Sequence, residues 1–332
     1  MSPAMTHPRQ PAEWAPHDSV WIGFPSHPEL WEEDLEPARA EVAAFARAVY
    51  AGGKGEKVIL VAANAEASAA AQLLAGGSAH IIEQSFGDIW LRDTAPIIVR
   101  NEGKRAAVDF GFNFWGGKYD LPGDDTIGAR LAATTDFTLR SANWILEGGA
   151  IDTDGTGLFV STEQCLLNPN RNPEMDRATI EAKLAEDLGM TRILWLGDGL
   201  ENDHTDGHVD NLARFVGENR LLLPVPHGDD PNSAIYADAI SRATAFGVEV
   251  VSFPSPGAVW RDGQIVPASY MNFYIGNKAI VMPTYEGGSN EEEAIEILGE
   301  LFPGRAVAGI PADAVLSGGG SFHCISQQIP SL

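Results

Sequence analysis

The sequence predicts a single α/β domain over residues 1–332, built as a five-bladed, propeller-like ring of repeated strand–strand–helix–strand units about a pseudo-five-fold axis. Three observations carry this expectation. Helix-like stretches begin near Asp124, Glu174, Asn232 and Asn290, and the last three starts are 58 residues apart. Short runs rich in β-branched and apolar residues follow the last three helices, and polar turns joining hairpin-like pairs recur between them. Finally, the strand-like segment from Phe322 to Ile329 has no hairpin partner of its own. Pairing it with Val20–Phe24 would close the ring and leave fewer exposed strand edges. The competing arrangement is an open α/β sheet, which the same alternation permits.

Taken in order, the first unit reads as a strand at Val20–Phe24, a helix from Glu36 to Tyr50 and a strand at Val58–Val61. A hairpin is expected through Ile89–Val99. The later helices carry acidic or Asx residues at their starts and apolar residues at helical spacing, as in Ile180-Leu184-Leu188 and Ile295-Leu298-Leu301. The strands after them are expected at Arg192–Leu196, Val248–Phe253 and Arg305–Ile310. Turn residues at Asp154–Gly157, Gly217–Arg220 and Gly276–Lys278 mark the hairpins.

Composition narrows the function. With 44% apolar and 20% charged residues, the chain can bury a large core and disorder is not the default. No apolar run approaches the ~20 residues of a membrane span. Met1–Pro11 lacks a basic stretch followed by an apolar one, so a cytoplasmic protein without a secretory leader is expected. In that compartment the two cysteines, Cys165 and Cys324, are not expected to form a disulfide. Twenty-two Lys and Arg against 46 Asp and Glu give a net charge of −24, which argues against nucleic acid and anionic membranes as partners. A small cationic molecule suits that field. A homo-oligomer is compatible with the sequence, which does not decide the matter.

The polar motifs fall at one phase of the repeat: Asp88–Asp93, Glu147-Gly148-Gly149, His204–Asp210, Ala268–Asn272 and Gly320–Cys324. Equivalent positions of a ring converge on its axis, so one site is expected to hold Cys324, His208, Asp93, Glu147 and Asp210. Each has an ordinary reading beside this one. A free Cys is usually a small buried hydrophobe; Asp93 could pair with Arg92, Glu147 could be a turn acid, and Trp90 could belong to the core. His204 and His208 have metal-ligand spacing, but Gly207 speaks against the helix that spacing needs, and no metal or organic cofactor is expected. Cys165 reads as packing in an apolar strand.

A thiol, an imidazole and several carboxylates fit the chemistry of a guanidinium group. Two carboxylates can grip its N–H pairs in bidentate fashion. A thiolate can attack its weakly electrophilic carbon. An imidazole can protonate departing ammonia and then deprotonate the water that opens the thioether. The products would be a ureido group and ammonia, with Glu147 orienting His208.

The same residues resemble the agmatine deiminases of the guanidine-modifying (pentein) superfamily. The resemblance runs from Pro11-Ala12-Glu13-Trp14 through Trp90–Asp93, Phe112–Tyr119, Glu147–Gly149, Leu167–Pro173, Thr205–Asp210 and Pro267–Tyr274 to Gly318–Gln328. It implies a five-bladed α/β propeller and hydrolysis of agmatine to N-carbamoylputrescine on the way to putrescine. By position it implies Cys324 as nucleophile, His208 as acid/base, Asp93 and Asp210 as guanidinium ligands, Glu147 beside the histidine and Trp90 as an active-site aromatic. No cofactor is implied. The chain departs from the pattern at His204, where an acid suited to the substrate's amine is the rule. Asp206 stands where Asn is common, and Ser321-Phe322 replaces Asn-Ile. Asp203, Asp206 or Glu201 is expected to supply the missing acid. The alternatives are a deiminase for arginine, peptidyl-arginine or another guanidino or ureido compound, an amidinotransferase, and a non-catalytic binder of cations. An arginine enzyme would need Arg171 or Lys118 for the substrate carboxylate.

Overall fold

The computed structural model describes residues 8–332. The first seven residues, on which the expectation of no leader partly rests, lie outside the described residues. The fold is mixed α/β. Among the described residues the strands form five separate small sheets and an isolated hairpin, Trp260–Arg261 with Gln264–Ile265, rather than one continuous sheet. Four sheets repeat one pattern, in which two antiparallel strands are followed by a third that runs parallel to the second. They open at Ile97–Asn101, Ile151–Thr153, Arg214–Gly217 and Tyr274–Ile275. Their parallel third strands are Thr138–Ile145, Arg192–Leu196, Glu249–Pro254 and Ala306–Pro311.

The remaining sheet has the order Ser326–Pro330, His17–Phe24, Lys57–Ala62, His80–Glu83. The strand left over at the sequence level pairs with the N-terminal one, with Val20 opposite Gln328 and Ile22 opposite Ser326 in antiparallel register. This strand is shorter than expected. Residues 322–325 form turns, so Cys324 sits just ahead of the strand, not inside it.

The helices that make the crossovers, Leu35–Tyr50, Arg177–Leu188, Ser233–Phe246 and Glu291–Leu301, begin within three residues of their expected starts. Asp176 caps one of them by accepting from the Thr179 N–H, and Gly189 and Gly247 end two of them in the left-handed conformation. The helix near Asp124 is only Ile127–Ala132. The hairpin expected over Ile89–Val99 is displaced to Ile97–Asn101 and Lys104–Gly111. Trp90–Asp93 lies before it, with Leu91–Thr94 forming one helical turn. Pro96 accounts for the shift: it holds Ala95 extended (φ −83°, ψ 156°), which stops the turn and lets a strand begin. No helix among the described residues is long and apolar enough to cross a membrane.

Candidate active site

The segments before the opening strands carry the polar residues. Asp93, Glu147 and Asp210 each stand four places ahead of such a strand, while Asn272 and Cys324 stand two places ahead. Close approach requires glycine here. A Cβ on Gly148 would meet the Arg92 carbonyl oxygen at 2.2 Å. One on Gly149 would lie 2.6 Å from His208 Nδ1, 2.9 Å from Asp93 Oδ1 and 3.1 Å from Asp210 Oδ2. Those three groups therefore converge on a single point. His208 reaches it because Asp206 and Gly207 turn the chain through the left-handed region (φ 64° and 86°), as the argument against an H-x-x-x-H helix requires.

Cys324, Asp93 and Trp90 line a pocket of about 220 Å³, whose other walls include Trp31, Asp88, Trp115, Tyr119, His204 and the Gly318–Gly320 loop. His208, Glu147 and Asp210 pack beneath it with no exposure. The His208 ring stands 3.7 Å from Asp93 Oδ1 through Nδ1 and 3.9 Å from Glu147 Oε2 through Nε2. Asp93 accepts from the Gly149 N–H (2.9 Å) and the Trp115 indole (3.0 Å). Among the described residues, both His208 nitrogens, Glu147 Oε2 and Asp210 Oδ1 are buried without a hydrogen-bond partner. Buried polar groups are rarely left so, and each costs roughly 1–3 kcal/mol. A planar, multiply N–H-bearing cation would satisfy the two carboxylates.

The electrostatics follow from burial. It raises Asp93 to about 6, with Asp210 and Glu147 adding to the rise against the opposing His208. Cys324 is pushed well above the usual thiol value by burial and then by Asp210 and Asp93, so the resting sulfur is a thiol. Asn272 offsets part of this by donating to Sγ at 3.0 Å. Burial opposes protonation of His208, but Asp93, the Cys165 sulfur and Glu147 outweigh it and raise the imidazole well above its ordinary value. Glu147 is likewise opposed by burial, yet His208 and Arg171 hold it below the usual carboxylate value.

Sequence reasoning passed over the layer beneath. His323 bridges Asp210 Oδ2 (2.7 Å) and Glu13 Oε2 (2.8 Å), and Arg214 also donates to Glu13 Oε2 at 2.7 Å. Asn272 Oδ1 accepts from the backbone N–H groups of both His323 and Cys324, at 3.0 and 3.3 Å. The adjacency of His323 to Cys324 is a usable signal; Glu13 belongs to the motif at which the resemblance begins, but nothing local there marks its contact with His323.

Other expectations change. Cys165 lies in the helical turn Glu163–Leu166, not in a strand, and is not remote from polar groups. Its sulfur, a His208 nitrogen and a Glu147 oxygen lie within 4.8 Å of one another, a donor set of the kind that can hold a metal. His204 and His208 do not form such a pair: His204 stands at the pocket wall, its Nδ1 2.9 Å from the Tyr119 hydroxyl. Asp206 does not line the pocket. It accepts from Arg171 (2.5 Å), Lys118 (2.6 Å) and Asn170 (2.9 Å). Asp203 does not line it either, and accepts from the Thr205 N–H and hydroxyl. Glu201 is exposed and also absent from the lining. Arg171, buried, donates to Glu147 at 2.7 Å as well, so neither it nor Lys118 is free for a substrate carboxylate.

A mixed α/β fold with a buried thiol, an imidazole and carboxylates around an aromatic pocket defines a class of site suited to chemistry on a cation. Residues 9–330 match the family of Porphyromonas-type peptidyl-arginine deiminases, and the chain belongs to that family. It is 37% identical to an agmatine deiminase of Stutzerimonas stutzeri (strain A1501), over 100% of this chain and 99% of that one. Among solved structures it resembles an agmatine deiminase of C. jejuni with substrate bound, with a TM-score of 0.91, 27% identity and coverage of 98% of this chain and 96% of that one. An agmatine deiminase of Enterococcus faecalis gives a TM-score of 0.89 at 28% identity, covering 99% and 98%.

Proposed function

We propose that this protein is a C–N hydrolase that deiminates agmatine to N-carbamoylputrescine and ammonia, with Cys324 as nucleophile. The observation that carries the reading is the thiol in a pocket wall, directly above buried carboxylate oxygens and imidazole nitrogens that have no hydrogen-bond partner among the described residues. Relatives named agmatine deiminases across the full chain length support it.

In this reading Asp93 and Asp210 grip the guanidinium, and its positive charge offsets the two carboxylates that keep Cys324 protonated. The thiol then releases its proton to solvent water as the cation arrives. Sγ attacks the guanidinium carbon to form a tetrahedral adduct; the imidazolium of His208 protonates an amino group, the C–N bond breaks and ammonia leaves. This gives an amidino-thioether. Neutral His208 takes a proton from water, whose oxygen adds to the same carbon. The C–S bond breaks, the hydroxyl proton of the adduct passes to the departing sulfur, the ureido product leaves, and the thiol and the imidazolium are restored. Glu147, fixed by Arg171, orients His208, and Trp90 packs along the substrate.

Agmatine is favoured over arginine because, among the described residues, no Lys or Arg lines the pocket. The five sheets are read as five blades of a single domain about one axis, since equivalent positions ahead of their opening strands meet at this site. The enzyme is further taken to be cytoplasmic, to need no cofactor and to have no nucleic-acid or membrane partner; a homo-oligomer is compatible with it. The test is ammonia release with agmatine and arginine supplied separately. Agmatine turnover that disappears in Cys324→Ala, while that variant still binds agmatine, supports the reading. Ammonia release at the wild-type rate by Cys324→Ala overturns it.

A further inference from the structure

The pocket carries a second carboxylate away from its reactive end. Of the lining residues only Asp93 and Asp88 are acidic, and Asp93 belongs to the cluster around Cys324 and His208. Asp88 is buried at 6% exposure. Oδ1 accepts from the Trp31 indole (3.2 Å) and the Ile89 N–H (2.8 Å), and Oδ2 accepts from the Trp90 indole (2.6 Å). A carboxylate has about four acceptor sites, so roughly one remains. All three donors are neutral, and among the described residues Asp88 takes part in no ion pair, whereas Asp206 takes part in two. Burial accordingly raises its carboxyl to about 6. A buried carboxylate facing a pocket with its charge uncompensated is a seat for a cation.

The geometry of Trp90 joins this seat to the reactive thiol. A Cβ on Gly320 would lie 2.7 Å from Trp90 Cζ3 and 3.1 Å from Cys324 Sγ, so the six-membered edge of the indole lies beside the sulfur. The indole Nε1, across the ring, bonds Asp88. The separation between the two ends is thus about one indole in extent, bridged by an apolar surface. Trp31 widens that surface, its ring centroid 6.3 Å from that of Trp90 and tilted by 30°. A Cβ on Gly318 would come within 2.7 Å of Trp90 and 3.0 Å of Trp31, so this loop packs closely against both indoles. The site is therefore shaped for a molecule with a cation at each end and methylenes between, the methylenes on the indoles and the far ammonium held by the carboxylate that their N–H edges fix. The lining also includes the His204–Tyr119 pair and, apart from Asp93, no further carboxylate among the described residues.

We propose that Asp88, framed by the Trp31 and Trp90 indoles, binds the primary ammonium of the substrate and so selects a diamine-like guanidine over one with a neutral or anionic tail. This rests on the deiminase reading above and assigns the amine to a residue outside the His204–Asp206 segment. The test compares agmatine with n-butylguanidine, which has the same chain without the amine, by kcat/KM for wild type and Asp88→Asn. The ratio of the two kcat/KM values is expected to fall by about a hundredfold in Asp88→Asn, the scale for losing one partner of a buried charge pair. An unchanged ratio overturns the assignment while leaving the deiminase reading intact; wild-type protein that releases no ammonia from either guanidine overturns both. A measurement independent of how Asp88→Asn folds is the crystal structure of Cys324→Ala with agmatine. The amine at hydrogen-bond distance from Asp88 supports the assignment, and the amine on His204 or in solvent refutes it.

Discussion

Replacing Arg171 by Gln tests how the acid/base is held. The Arg171 guanidinium is fully buried and makes four directed contacts: Nε to Glu147 Oε1 (2.7 Å), Nη1 to Asp206 Oδ2 (2.5 Å) and Asn170 Oδ1 (2.8 Å), and Nη2 to the Thr205 carbonyl (2.8 Å). Gln removes the charge and strands Glu147, which has no exposure. Breaking a buried pair from one side costs about 3–5 kcal/mol. At roughly 2 °C per kcal/mol for a chain of this size, the melting temperature should drop by about 6–10 °C. The catalytic consequence is more specific. Glu147 owes part of its depressed value to Arg171, so its carboxyl should titrate at higher pH in the variant. Once Glu147 is protonated, His208 loses a neighbour that favours the imidazolium. The acid limb of the kcat profile for agmatine should therefore move to higher pH, while KM at the plateau changes by less than kcat. Arg171→Lys, which keeps the charge but loses the planar fork, should fall between. The assay is ammonia release against pH alongside thermal melts. An unshifted kcat profile combined with a selective rise in KM for arginine would refute this account and make Arg171 a ligand for a substrate carboxylate.

Two further outcomes are expected. Gly149→Ala should remain folded, because Gly149 is not in the left-handed region, but its Cβ would press on His208 Nδ1 and Asp93 Oδ1. We expect kcat to fall about a hundredfold, the scale for a displacement of about 1 Å in a reacting group, with about 1–3 kcal/mol of destabilisation; normal kcat would show that these groups do not act together. For the ligand-free protein, burial raises Asp88 and Asp93 to about 6 and Asp124 to about 7 from an ordinary 3.8. A carboxyl raised on folding contributes stability that is complete below the unfolded value and lost as pH rises through the folded one. For Asp93 this is about two units, or about 3 kcal/mol. His208, also raised, works in the same direction, whereas the depressed Glu13, Glu147 and Asp210 act only at lower pH. Melting temperature should fall between pH 5 and pH 8, and less steeply for Cys324→Ala saturated with agmatine; a rise over that window for the free protein would contradict the assignment.

The parts of the molecule written in local patterns could be read from the sequence. Helical spacing and turn residues located four crossovers, and the unpaired C-terminal strand implied its partner at Val20–Phe24, which the register bears out. The phase of the polar motifs brought Asp93, Glu147, His208, Asp210 and Cys324 together on paper, and the structure brings the same five together. Short elements were harder. A single turn such as Leu91–Thr94 or Glu163–Leu166 is too brief for a period to develop, so sequence pattern places Trp90–Asp93 in a hairpin and Cys165 in a strand. Pairing between distant charges leaves no local trace at all. Asp206 is available for an amine by sequence position alone, whereas in the fold Arg171 and Lys118 occupy it. Asp88 looked like part of a motif rather than the one other acid lining the pocket.

The seating of Cys324 has a consequence for how activity is acquired. The thiol is fixed two residues before Ser326–Pro330, and that strand is held by His17–Phe24, from the far side of the sequence. Bringing such remote segments together is the costly step in loop-closure terms and tends to come late. The local helices and hairpins can form earlier without creating an attacking group in the right place. Turnover would then be a readout of completed assembly: in refolding, ammonia release should lag behind the recovery of helical signal, and a chain caught halfway would carry an idle thiol.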